Sequence, residues 1–172
     1  MSAEVADDAP VSTRAVVERY KDMVYAIACT HTGNRGDADD VFQEVFLTYH
    51  RKQPVCNSDD HRQAWLITTT LNIARRVATS SWRTRVVPLR PELMDAPAEA
   101  PRFDSEQQTV LFKALAQLPE NYRVVIHLFY FEDMPVARIA AVLDLAPSAV
   151  KMRLTRGRAM LRQQLSEEDY DA

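Results

Sequence analysis

Apolar residues recur along this chain at intervals of three and four, the spacing of one face of an α-helix. Between Val11 and Ala28, the side chains of Val16, Val17, Tyr20, Val24 and Ile27 share a side, which predicts a first helix. Residues 30–36 hold Gly33, Asn34 and Gly36 and read as a turn. A second helix is expected to open at Asp37 and to run to about Lys52. Acids at its start suit the helix macrodipole, and Val41, Phe42, Val45, Phe46 and Tyr49 make its apolar face. After a loop over 54–60, a third helix is expected from about His61 to Arg83, with Leu66, Thr70, Ile73, Ala74 and Val77 inward.

The pattern then lapses. From Val86 to Gln107 come Pro88, Pro91, Pro97 and Pro101, five acids and little periodicity, the composition of an extended linker. Helical spacing returns at Leu111, Ala114, Leu115 and Leu118, is punctuated by Pro119, and resumes over about Glu120 to Phe131. A short helix is expected over Pro135–Val142, with Val136, Ile139, Ala140 and Leu143 at i, i+3, i+4 and i+7. A turn over Leu143 to Ala146 follows, and Pro147 suits a first helical position, where its missing N–H would have no partner anyway. Turns of this kind often carry glycine where this chain has Asp144, a residue that tolerates the left-handed conformation at some strain. Ala146 is a poor N-cap, so packing must hold the helix that follows. The pattern therefore specifies an all-α chain. Two small helical domains, 11–85 and 108–166, flank a proline-rich acidic linker at 86–107. No internal repeat is evident.

The last helix carries the most information. Val150, Leu154, Gly157 and Leu161 fall at i, i+4, i+7 and i+11 and face a core. Lys151, Thr155, Arg158 and Arg162 form a neighbouring stripe beside Arg153 and Arg156, with no acid from Pro147 to Leu165. With the short helix before it, this looks like a helix-turn-helix whose second helix enters the DNA major groove, where Arg and Lys pair with guanine edges and phosphates. The plainer reading is a solvated basic face on an ordinary core helix.

Charge changes the picture once it is mapped. The formal net charge of the 172 residues is −3, an odd value for a nucleic-acid binder. Residues 61–90 nevertheless hold six arginines and no acid, while acids collect at Asp37–Glu44, Glu92–Glu106 and the C-terminal tail. Two basic patches on an acidic chain imply two DNA contacts of weak unaided affinity, and so a protein that works within a larger machine. Hydrophobic residues make up 47%, enough for buried cores, and no stretch approaches the roughly 20 apolar residues of a membrane span. The acidic N-terminus lacks the layout of a secretion signal, so a cytoplasmic location without membrane insertion is expected. Cys29 and Cys56 have no CxxC or Cys/His spacing, and His31, His50, His61 and His127 share none. No metal, cofactor or catalytic site is expected. No phosphate-binding glycine loop or nucleophile–base pairing supports an enzyme.

Asp37-Ala-Asp-Asp-Val-Phe-Gln-Glu-Val-Phe-Leu, then Ala64-Trp65-Leu66-Ile67 and Asn72-Ile73-Ala74, resemble conserved region 2 of bacterial sigma-70 family sigma factors. Leu118-Pro119-Glu120, the helix-turn-helix, Val150-Lys151-Met152-Arg153-Leu154 and Arg156-Gly157-Arg158 resemble region 4. Domain order, linker and length resemble the small extracytoplasmic-function (ECF) subfamily, and the likeness covers roughly Val11 to Leu165. The resemblance implies a promoter-specificity subunit of RNA polymerase with no catalysis of its own. Asp40, Gln43 and Glu44 match positions that dock onto the β′ clamp helices, where carboxylates and an amide accept bonds from a partner's arginines. The β subunit is a further implied partner.

Asn72 matches a position at a pocket for an unstacked base of the −10 promoter element, with Arg76 one turn further along and Arg75, Arg83 and Arg85 tracking the backbone. Lys151, Met152, Thr155 and Arg156 match positions facing the −35 major groove, while Arg153 and Arg158 are expected on phosphates. Met152 replaces a small serine common there, which changes the expected −35 preference. An anti-sigma factor is an implied partner; a homo-oligomer is not. The main rival is a free-standing helix-turn-helix regulator, usually a symmetric dimer. Against it stand the second basic patch, the acidic docking helix and the lack of a dimerisation segment. Trp65 is expected in the core, because it sits at helical spacing among apolar residues.

Overall fold

The computed structural model describes residues 11–32, 34–84 and 114–168, with side chains to Ser80 in the second stretch and to Glu167 in the third. All regular structure among them is helical: α1 Thr13–Thr32, α2 Arg35–Lys52, α3 Asp59–Thr84, α4 Glu120–Tyr130, α5 Val136–Leu143 and α6 Pro147–Glu168. A further helical turn at 114–117 precedes α4. The expected linker at 86–107 lies outside the described residues.

The helices form two bundles. In the first, α1, α2 and α3 pack mutually. Their inward faces supply Val16, Tyr20, Val24 and Ile27, then Val41, Val45, Phe46 and Tyr49, then Leu66, Ile67, Leu71, Ile73 and Ala74, all buried. Trp65 lies edge-on to Tyr49, with ring centroids 5.6 Å apart, and so belongs to this core as its spacing predicts. In the second bundle α6 lies across α4 and α5. Val150, Leu154 and Leu161 are buried there with Val124, Val125, Leu128, Ile139 and Ala140. At Gly157 α6 packs tightly on α4, since a Cβ there would meet Ile126 Cγ1 at 3.1 Å and Tyr122 Cβ at 3.4 Å.

Helix starts divide the chain in the same way. Each helix of the first bundle begins on a polar side chain that takes one of its unpaired backbone donors. Ser12 Oγ accepts from the Ala15 amide at 3.2 Å, and Ser58 Oγ from the His61 amide at 3.1 Å. Asn34 Oδ1 accepts from the Asp37 amide at 2.8 Å, while Asn34 Nδ2 donates to the Asp37 carboxylate at 2.6 Å. This reciprocal cap moves the start of α2 back from Asp37 to Arg35. Likewise α3 starts at Asp59 rather than His61, and α1 runs on to Thr32 rather than stopping at Ala28. In the second bundle α4 and α5 instead follow Pro119 and Pro135, with no side-chain cap, and α6 opens with Pro147.

The turn between α5 and α6 has the strained geometry that its sequence predicts. Asp144 sits at φ 54° and ψ 51°. Leu145 N–H bonds back to Ala140 O at 2.9 Å and Asp144 N–H to Ala141 O at 3.4 Å, the paired arrangement that closes a helix on a left-handed residue. A β-branched side chain clashes with its own backbone there, whereas glycine does not. Asp144→Val is expected to lower unfolding stability by about 1–2 kcal/mol, with Asp144→Gly at or above the parent, as measured by chemical denaturation.

Candidate nucleic-acid and polymerase interface

Along α2, Asp40, Gln43 and Leu47 are exposed, and Glu44 is half-buried beside them. Leu47 keeps 49% of its surface in water, so this face combines acceptors with an uncovered apolar residue. Glu44 is not free: its carboxylate holds the Arg76 guanidinium of α3 in an ion pair. The expected docking helix and the expected −10 helix are thus bonded side chain to side chain.

On α3, Asn72, Arg75 and Arg76 are all exposed. Arg75 Nη1 lies 3.4 Å from Asn72 Oδ1, and Arg75 Nε pairs with Glu120 of α4 at 2.5 Å. Arg83 has no described side chain. The basic patch expected over 61–90 is also smaller than its composition suggests. Arg62 is only 9% exposed, donating to Tyr49 Oη at 3.2 Å and to Asp59 Oδ1 at 2.7 Å, so it serves the core.

The α6 surface is more open. Lys151, Met152, Thr155 and Arg156 are exposed, while Arg153 and Arg158 are half-buried. Met152 retains 46% of its surface, an apolar contact beside cations. The Thr155 hydroxyl donates to Lys151 O at 3.0 Å and must rotate to reach any other acceptor. Arg158 Nη1 donates to Tyr130 Oη at 3.2 Å, tying this cation to α4.

The contact between the bundles rests on residues that belong to no sequence motif. Thr30 Oγ1 and His127 Nδ1 lie 3.2 Å apart, and His127 is 1% exposed. On its other side, His127 Nε2 lies 3.3 Å from Glu132 Oε1. Arg123 donates to Thr30 O at 3.0 Å, Ala116 O at 3.0 Å and Leu118 O at 2.7 Å, filling acceptors at two helical ends. Arg138 of α5 pairs with Asp60 at 2.8 Å and also donates to Gln63, both on α3. One signal was available: a histidine in the middle of Val124-Val-Ile-His-Leu-Phe is a polar residue with an apolar helix around it.

Sequence comparison supplies the deciding observation. Residues 16–85 match the model for sigma-70 region 2, and residues 109–161 match the model for sigma-70 region 4. The chain belongs to the sigma-70 family. Among its relatives, the ECF RNA polymerase sigma factor SigE of Mycolicibacterium smegmatis is 29% identical over 161 residues, covering 91% of this chain and 62% of that protein. The ECF sigma factor SigW of Bacillus subtilis is 29% identical over 171 residues, covering 88% of each. This sigma factor therefore spans under two thirds of one relative and most of the other. Its fold matches the sigma factor RpoE of Bartonella quintana, solved with the anti-sigma factor NepR, at a TM-score of 0.68 and 21% identity, covering 89% of this chain and 96% of that one. CnrH, solved with the cytosolic domain of CnrY, matches at 0.64 and 23% identity, covering 90% and 88%.

Among the described residues, no His, Cys, Asp or Glu cluster is arranged to hold a metal, and no helix is long and apolar enough to cross a membrane. Burial raises the Cys29 pKa, which keeps it a thiol and disfavours reaction at neutral pH. The same cause, reinforced by the nearby Arg123, His127 and Arg75, lowers the His31 pKa from 6.5 to about 3. His31 is thus neutral in the fold, whereas in the unfolded chain it takes a proton below pH 6.5. Its contribution to stability is complete above that pH and declines as pH falls toward 3. His31→Gln should therefore lose less stability than the parent between pH 7.5 and pH 5 in paired urea titrations, and equal slopes would contradict the neutral assignment.

Proposed function

We propose that this sigma factor acts in the cytoplasm as an ECF-type promoter-specificity subunit, working by binding alone. In this reading α2 docks on core RNA polymerase through Asp40, Gln43 and Glu44, contacting the β′ clamp helices. Asn72, Arg75, Arg76 and Arg83 of α3 address the −10 element, and α6 addresses the −35 element. The observation that carries the proposal is the division of α6. Its buried stripe of Val150, Leu154, Gly157 and Leu161 leaves Lys151, Met152, Thr155 and Arg156 exposed together.

The chemistry suits the assignment. Arg156 and Lys151 offer donors to guanine edges, and the Met152 thioether offers a thymine methyl a contact that a serine hydroxyl lacks. Arg153 and Arg158, half-buried on the same helix, carry the charge that a phosphate contact uses. On α3, an asparagine amide both donates and accepts at a base edge, as an unstacked base requires. Because a fold relative was solved with an anti-sigma factor, a partner of that kind is proposed here too. A free-standing operator-binding regulator leaves the region 2 match and the exposed α2 face unexplained.

The primary experiment is run-off transcription from promoters found by mapping start sites after induced expression. Transcripts should appear only when the chain and core polymerase are both present. Glu44→Lys should weaken core binding at least tenfold, roughly 1.4 kcal/mol or more, with an unchanged circular dichroism spectrum. Unaltered co-purification would remove Glu44 from the docking face. Arg156→Ala should cost about 1–3 kcal/mol and relax preference at its base pair, whereas Arg153→Ala should weaken all sequences alike. Binding-site selection with each variant distinguishes these effects.

A further inference from the structure

In the first bundle, the arginines that form ion pairs give up their charge to carboxylates: Arg19 and Arg62 to Asp59, Arg35 to Asp39, Arg75 to Glu120 and Arg76 to Glu44. The last helix differs. Among the described residues, no ion pair involves Lys151, Arg153, Arg156, Arg158 or Arg162 of α6. One of these cations is nevertheless held in place. Arg158 Nη1 donates at 3.2 Å to the phenol oxygen of Tyr130, the last residue of α4. That acceptor is neutral, so Arg158 is fixed without losing its charge.

We propose that Tyr130 is a positioning residue for DNA: its phenol holds the Arg158 guanidinium at the edge of the α6 face, set to grip a backbone phosphate beside the −35 element. The proposal rests on the reading of α6 as the −35 helix. Arg158 follows Lys151 by seven positions and Thr155 by three, so it shares their side of the helix. It lies about 10 Å beyond Lys151 at 1.5 Å per residue. Tyr130 has a firm seat from which to act. Its ring meets Phe129 edge-on, with centroids 5.0 Å apart, and Phe129 packs against the core. Tyr130 still keeps 49% of its surface in water, so a rooted side chain brings its oxygen to the exterior.

The choice of acceptor matters physically. An arginine side chain loses much rotamer freedom when a phosphate immobilises it. Freedom already lost in the free chain is not lost again on binding, so a guanidinium held beforehand binds more tightly. The phenol occupies one of several N–H donors and leaves the others for the oxygens of a phosphate. A carboxylate in its place would hold the side chain equally well but would oppose the approach of DNA.

Tyr130→Phe provides the test, because it removes the acceptor and keeps the ring against Phe129. The full chain is assembled with core polymerase and titrated against a labelled duplex promoter taken from start-site mapping. Tyr130→Phe should weaken promoter binding roughly three- to ten-fold, the range of one lost hydrogen bond. Arg158→Ala should weaken it at least as much and lower the slope of log affinity against log salt by about one. The double variant decides the matter. Once Arg158 is alanine, Tyr130→Phe should cost nothing further, whereas beside Arg153→Ala its cost should be undiminished. A tyrosine that only supports the fold would lower affinity whether or not Arg158 is present, so an undiminished cost in the Arg158→Ala background overturns the proposal. Parent-like binding by Tyr130→Phe overturns it as well, and so does tighter binding, which means the phenol keeps Arg158 away from DNA. A parent holoenzyme indifferent to changes in the −35 element instead rejects the reading of α6, and the proposal falls with it.

Discussion

Each helix of this protein has a single apolar stripe and therefore only one direction in which it can be satisfied. Three helices close their stripes on one another at α1–α3, and three more do so at α4–α6. Each bundle is so thin that every helix keeps a face in water. That constraint decides where chemistry is possible. Asp40 of α2, Arg75 and Arg76 of α3, and Lys151 and Arg156 of α6 are outside because Val41 and Val45, Leu66 and Ile73, and Val150 and Leu154 occupy the inside. The binding surfaces are the complement of the cores, and a register error in any helix would erase both together.

The apolar period that placed the cores also made the division of α6 legible. Its buried and exposed residues follow from spacing alone, as do the inward positions of α2, while the left-handed Asp144 follows from the turn it occupies. What the period does not contain was missed. Helix starts depend on single polar side chains, so Asn34 and Ser58 moved the starts of α2 and α3 outward from the Asp37 and His61 that the sequence had suggested. Counting arginines overstated the first basic patch, because a guanidinium that finds a phenol and a carboxylate, as Arg62 does, is no longer surface charge.

The contacts between bundles were the least legible part. Thr30 and His127 are separated by 97 positions, and neither belongs to a motif. Their pairing depends on how the two helix bundles come to rest on each other, which local periodicity does not encode. The same holds for Arg75 and Arg76, which spacing places correctly on α3. Nothing local reveals that each already has a carboxylate partner.

The bonds joining the bundles belong to two electrical classes. Arg75–Glu120 and Arg138–Asp60 lie in water, where dissolved ions at about 0.15 M limit the reach of charge to roughly 8 Å. Thr30 and His127 are shielded from those ions by the protein around them. Ionic strength therefore loosens the rim of the junction and leaves its centre intact. The compactness of the molecule is thus a property of its buffer as well as of its sequence.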